Sequence, residues 1–220
     1  MKATYLQVKK ITDENNAILV AVSKTNPVSR IHEMYELGQR DFGENRVQEL
    51  VEKAGELPAD IRWHQIGHLQ SNKVKYIAPF IHLIHAVDSL NILKEINKQA
   101  IKVDRIIPCL LQIHIAQEES KFGFSEAELL ELLNSDTYKN LKNIQIWGLM
   151  GMATFTDDQV QVRNEFRNLR TLFERTKRAY FLEDQVFNTL SMGMSGDFEL
   201  ALEEGSTMVR VGSLLFGARQ

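Results

Sequence analysis

Eight short apolar runs, separated by longer amphipathic stretches, constrain this chain more than any other feature. They fall at residues 17–23, 41–43, 62–66, 83–87, 105–115, 143–150, 186–190 and 207–211. Their interiors carry Ile, Leu and Val at consecutive positions, as strands do when a parallel sheet is covered on both faces. The segments between them carry helical patterns. Residues 29–37 open on Ser29 as an expected cap and stop before Gly38, a residue suited to follow a helix end. Residues 88–100 begin on Asp88, and 125–133 place Glu128 three positions after Ser125, the capping-box spacing. The longest pattern covers 157–178, and a short one covers 2–12. Strand, crossover helix and parallel strand, repeated with one hand, give an open sheet or a closed barrel. Eight such units in 220 residues predict the barrel: one α/β domain over 1–220, a compact TIM-type (β/α)8 barrel.

Composition excludes several functions. With 26 basic and 29 acidic side chains the net charge is −3, which offers no footprint for nucleic acid or an anionic membrane. The one basic cluster, at 175–178, closes a helical pattern, where the helix dipole favours cations. The single cysteine, Cys109, excludes an internal disulfide and a thiolate zinc site, and its apolar neighbours predict burial. The N-terminus is too polar for a secretory signal and no apolar stretch approaches a membrane span. A cytoplasmic location is the expectation.

In such a barrel the chemistry sits at the C-terminal strand ends. Lys24 ends the first strand, where partial burial lowers an amine's pKa and fits it for Schiff-base formation; a surface lysine at a strand end is the plain alternative. After the seventh strand comes Ser191-Met-Gly-Met-Ser195-Gly196, and after the eighth Arg210-Val-Gly212-Ser213, each opening a short helix. Backbone N–H groups and hydroxyls in these two loops suit a phosphate, although tight turns alone would also call for glycine. Arg210 lies inside the last strand, where a buried guanidinium needs a carboxylate, phosphate or ring-nitrogen partner. Asn45 and His64 offer further hydrogen bonds, with a satisfied core histidine the alternative for His64. His85 and His114 end strands, but no carboxylate is spaced to join them, so no metal site is expected.

Several blocks together carry a specific resemblance. Val20-Ala-Val-Ser-Lys24, Phe42-Gly-Glu-Asn45, Trp63-His-Gln-Ile-Gly-His68, Gly148-Leu-Met150, Ser191-Met-Gly-Met-Ser195, Gly205-Ser-Thr-Met-Val-Arg210 and Phe216-Gly-Ala-Arg219 run in order along almost the whole chain. The sequence resembles the pyridoxal phosphate homeostasis (YggS-like) family, related to the N-terminal barrel of alanine racemase (PLP fold type III). The resemblance implies pyridoxal 5′-phosphate (PLP) as cofactor, held as a Schiff base on Lys24. It implies Ser195, Gly212 and Ser213 around the phosphate, and Arg210 and Asn45 beside the cofactor; His64, from its place on the third strand, is a further cofactor-binding candidate. The chain departs from the family in two places: His114 stands where Asn is common, and the N-terminal helix is shorter than expected.

Three functions compete. The first is a PLP carrier acting in cofactor storage and delivery, expected as a monomer with apo PLP enzymes as recipients. The second is an amino-acid racemase, which needs an acid/base group on each face of the substrate's α-carbon. Racemases take one of these from a tyrosine of a further domain. This sequence ends at Gln220, and its tyrosines (Tyr5, Tyr35, Tyr76, Tyr138, Tyr180) fall away from the expected mouth. The third, a Schiff-base aldolase, usually places its lysine on a later strand beside carboxylates. The carrier is the favoured expectation, with no dedicated reaction.

Overall fold

The computed structural model describes residues 2–116 and 122–217. In chain order the elements are α1 (Lys2–Glu14), β1 (Ile18–Val22), α2 (Val28–Glu36), β2 (Asp41–Glu44), α3 (Val47–Glu56) and β3 (Arg62–Gln65). A 3₁₀ turn, Ser71–Lys73, leads into α4 (Val74–Ile77), β4 (Leu83–Val87), α5 (Leu90–Lys102) and β5 (Ile107–Ile113). Then follow α6 (Glu126–Asn134), α7 (Asp136–Lys139), β6 (Ile144–Gly151), α8 (Gln159–Tyr180), β7 (Thr189–Ser191), α9 (Phe198–Glu203), β8 (Met208–Val211) and α10 (Ser213–Phe216).

All eight strands pair in parallel and in sequence order, and β8 closes on β1. The sequence expectation of a (β/α)8 barrel therefore holds. The registers Val20↔Arg210 and Val22↔Gly43 set β1 between β8 and β2, and so set Lys24 between the loops that follow them.

Consecutive apolar residues in one strand serve two cores. Leu19 and Ala21 join the large cluster with Phe42, Trp63, Leu111, Leu149 and Phe166, between sheet and helices. Val20 joins a second, smaller cluster with Leu83, Leu110, Met150 and Met208, which fills the barrel interior. A strand with both faces buried has no polar face to alternate with. Cys109 is wholly buried, as expected, and burial raises its thiol well above the usual range.

Several helix ends agree with the sequence and two do not: α5 is capped by Ser89 rather than opened by Asp88, and α2 also starts elsewhere. Ser125 and Glu128 form a complete capping box on α6, and Gly38 takes a left-handed φ of 98° just past α2. Helix α2, however, begins at Val28 with Pro27 at the cap, and Ser29 lies inside its first turn. Proline's fixed φ pre-shapes the helix entry, so the serine hydroxyl is not needed there. Strand β7 starts later than the apolar run, at Thr189, because Val186 and Phe187 still belong to the turn after α8. Helices α3, α4 and α7, absent from the sequence reading, complete the outer layer.

Candidate functional site

Lys24 lies two residues past the end of β1 (Ile18–Val22), in the turn that leads to α2. It is half-buried. The chain on either side of it is tied down by groups the sequence reading did not single out. Lys53 of α3 donates to the Ser23 carbonyl (2.8 Å), and the Ser23 hydroxyl donates to Glu44 Oε1 (2.6 Å). Lys53 also pairs with Glu44 (2.7 Å) and Glu49 (2.6 Å), while Glu49 accepts from the Thr25 N–H (2.6 Å). Thr25 is held at a left-handed φ of 65°. Lys53 and Glu44 are buried, and burial pushes the Glu44 carboxyl above its ordinary range. This network pre-sets the strand end that presents Lys24. Its one sequence signal was the Glu49/Lys53 spacing of four, typical of a helix face.

The loops after β7 and β8 meet as expected. Ser195 Oγ accepts from the Gly212 N–H (3.1 Å) and the Leu214 N–H (3.4 Å). A side chain at Gly212 would meet Val22 at 3.2 Å, so this turn packs directly against the strand that carries Lys24. Ser213 begins α10 beside it. On the other side of β1, Asn45 follows β2. Gln65 donates to its carbonyl (2.9 Å), and Gly67 lies so close that a Cβ there would stand 2.8 Å from the same oxygen.

Arg210 is 4% exposed, and burial pulls its guanidinium down to about 10. Inside the barrel it donates to Ser191 Oγ (2.6 Å) and to the Gly151 carbonyl (3.1 Å). Ser191 Oγ also contacts His85 Nδ1 (3.1 Å), His85 Nε2 contacts His64 Nδ1 (2.9 Å), and His64 Nε2 contacts Asp41 Oδ1 (3.0 Å). Arg62 clamps both Asp41 oxygens (2.8 and 2.5 Å). His64 therefore lies deep in the barrel, fully buried, and connects to Arg210 through His85 and Ser191.

His85 and His114, weighed from sequence as a metal pair, have separate surroundings: His85 sits within this chain of contacts and His114 follows β5. The set that does converge is Asp41, His64 and His82, whose donor atoms lie within 4.8 Å of one another. There the Arg62 guanidinium already supplies the positive charge facing Asp41.

The family model described as the alanine racemase N-terminal domain matches residues 1–220. The pyridoxal phosphate homeostasis protein of Aquifex aeolicus is 42% identical over 208 residues, 94% of this chain and 89% of the relative. This chain belongs to the pyridoxal phosphate homeostasis protein family. PipY of Synechococcus elongatus, solved with PLP bound, aligns with a TM-score of 0.83 at 36% identity, over 92% of this chain and 93% of that one. Alanine racemase of Bartonella henselae, with covalently bound pyridoxal phosphate, aligns with a TM-score of 0.73 at 16% identity, over 98% of this chain and 58% of that one. That likeness shows a shared fold alone. Membership of the pyridoxal phosphate homeostasis family agrees with the resemblance drawn from the sequence blocks. Arg219 of the last block lies outside the described residues. Among the described residues, no helix is long and apolar enough to cross a membrane.

Proposed function

We propose that this protein binds PLP at the mouth of its barrel and serves cytoplasmic PLP homeostasis as a carrier, without a dedicated reaction. The observation that carries this reading is the convergence on β1 of three different groups. Lys24 follows that strand by two residues, the Ser195–Gly212 contact packs against Val22, and Arg210 is registered against Val20. An amine, a phosphate-sized cluster of N–H and hydroxyl groups, and a buried cation are what a phosphorylated aromatic aldehyde requires. When bound, PLP supplies the aldehyde carbon and an electron-withdrawing ring.

In this reading Lys24 is the covalent anchor as a Schiff base. Ser195, Gly212 and Ser213 hold the phosphate, Asn45 flanks the ring, and Arg210 faces it from within the barrel. His64 acts from a distance. A permanently charged arginine opposing protonation of the pyridine ring weakens the cofactor as an electron sink, which suits a carrier. The racemase alternative fares worse. Tyr5, Tyr35, Tyr76, Tyr138 and Tyr180 lie on α1, α2, α4, α7 and α8, none at a strand's C-terminal end. The carrier acts as a monomer that surrenders PLP to apo enzymes.

The test is borohydride reduction of the PLP-loaded protein followed by peptide mass spectrometry. The pyridoxyl group is expected on Lys24, and Lys24→Ala should lose it with the thermal midpoint unchanged within about 2 °C, as for a surface change. An adduct mainly on Lys73, or on Lys121 (outside the described residues), would overturn the anchor.

A further inference from the structure

The barrel interior contains an unbroken line of hydrogen bonds from its floor to Arg210. It starts at Asp41, the first residue of β2, and passes through His64 of β3 and His85 of β4. It then crosses to Ser191, the last residue of β7, and ends on the Arg210 guanidinium of β8. His64, His85 and Ser191 are wholly buried, so each polar atom must find its partner within the line.

With one proton on each ring, the two ends fix the direction of every donor between them. A carboxylate only accepts and a guanidinium only donates. Asp41 must therefore receive the His64 Nε2 proton, which leaves His64 Nδ1 as an acceptor. His85 must then carry its proton on Nε2 and present a bare Nδ1. That nitrogen takes the Ser191 hydroxyl proton, and the Ser191 lone pairs are left facing Arg210. Burial holds His85 well below the ordinary histidine range, in keeping with a neutral ring that donates once and accepts once. The Asp41 carboxyl is held low by hydrogen bonds from Arg62 and His64 that outweigh its burial, so the accepting end stays ionised. Hydrogen bonds aligned head to tail polarise one another, which makes Ser191 a better acceptor for the arginine than an isolated hydroxyl.

We propose that Asp41, His64, His85 and Ser191 are positioning residues that lock the Arg210 guanidinium in one orientation, so that a change at the barrel floor is felt at the mouth. The effect on the cofactor rests on the PLP reading; the lock on Arg210 does not. The hydrogen bonds of the line are made by residues other than Lys24, Ser195, Gly212 and Ser213, so its failure is distinguishable from theirs.

The experiment compares wild type, Asp41→Ala and Asp41→Asn, each first checked for fold by circular dichroism and thermal melting. In cofactor-free, ¹⁵N-labelled protein, His64 and His85 should both appear as neutral rings protonated on Nε2. The Arg210 side-chain N–H signals should be resolved and slow to exchange. Asp41→Ala removes the terminal acceptor: His64 should show mixed tautomers, and Arg210 N–H exchange should speed up at least tenfold. Asp41→Asn keeps an acceptor oxygen and should recover most of the wild-type pattern. In PLP-loaded protein the alanine variant should shift the visible absorption band and release PLP three- to tenfold faster, with asparagine again restoring it.

A Nδ1-protonated His85 in wild type would overturn the proposal. So would Arg210 exchange within twofold of wild type in a folded Asp41→Ala protein, or in a Ser191→Ala protein, which removes the direct acceptor, if Asp41→Ala does not fold. Should wild type bind no PLP, the cofactor-free arm still decides the lock, and only the PLP reading falls.

Discussion

Ser195 shows how much one hydroxyl decides at this site. It joins the loop after β7 to the turn after β8 by accepting from the Gly212 and Leu214 N–H groups. The hydroxyl and the Gly212 N–H are among the groups proposed for the phosphate, each charge-assisted bond being worth about 1.5–3 kcal/mol. Ser195→Ala should therefore weaken PLP by about ten- to a hundredfold while leaving pyridoxal, which lacks the phosphate, nearly unchanged. Gly212→Val should act in the same sense, since its side chain would be driven into Val22 at 3.2 Å. Titrations of both ligands against both variants check this, and equal losses for the two ligands would put the phosphate elsewhere. At this scale the sequence was uneven. Lys24, Ser195 and Arg210 stood out by residue type and place, whereas Lys53, Glu44 and Glu49, which tie the chain beside Lys24, did not.

The longest helix, α8, is fastened to the barrel wall by charge. Arg163 and Arg167 reach Glu204, which caps the end of α9, at 2.7 and 3.1 Å. The Arg163 guanidinium, and then Arg167, hold the Glu204 carboxyl below its ordinary range. A depressed carboxylate pKa contributes stability that is complete above the usual carboxylate range and lost as pH falls through the lowered value. Both arginines are partly exposed, so solvent and salt screen the pair and about 1 kcal/mol is a ceiling. Glu204→Gln should lower the urea midpoint at pH 7 and flatten its fall as pH drops through and below the usual carboxylate range. Parallel curves for the two proteins would show that the clamp is silent. Sequence gave α8 its extent from its apolar periodicity, but Arg163 and Glu204 are far apart in the chain and carry no mark of each other.

The whole molecule sets the limit on chemistry. One lysine on one face of a bound amino acid can exchange the Schiff base but cannot also protonate the opposite face. The tyrosines lie on helices, away from the strand ends. PLP-loaded protein mixed with L- and D-amino acids in deuterium oxide should change its spectrum, yet exchange α-protons no faster than free PLP. It should also restore activity to an apo PLP enzyme added in trans. Exchange well above the control, with racemisation that depends on a named tyrosine, would replace the carrier with a racemase.

From the apolar pattern came the barrel and its eight strands, and residue type and place pointed to Lys24 and the two glycine–serine loops as candidates at the mouth. Those features are local: apolar runs without alternation, glycine and serine after a strand, a lysine at a strand end. Tertiary structure alone decided what lies beneath them. Asp41, His64, His85, Ser191 and Arg210 come from five strands, and His85 and Ser191 are 106 positions apart. Closing the sheet brings their side chains into one buried line. No local pattern encodes such a line, because each residue there satisfies a neighbour that only closure of the barrel supplies.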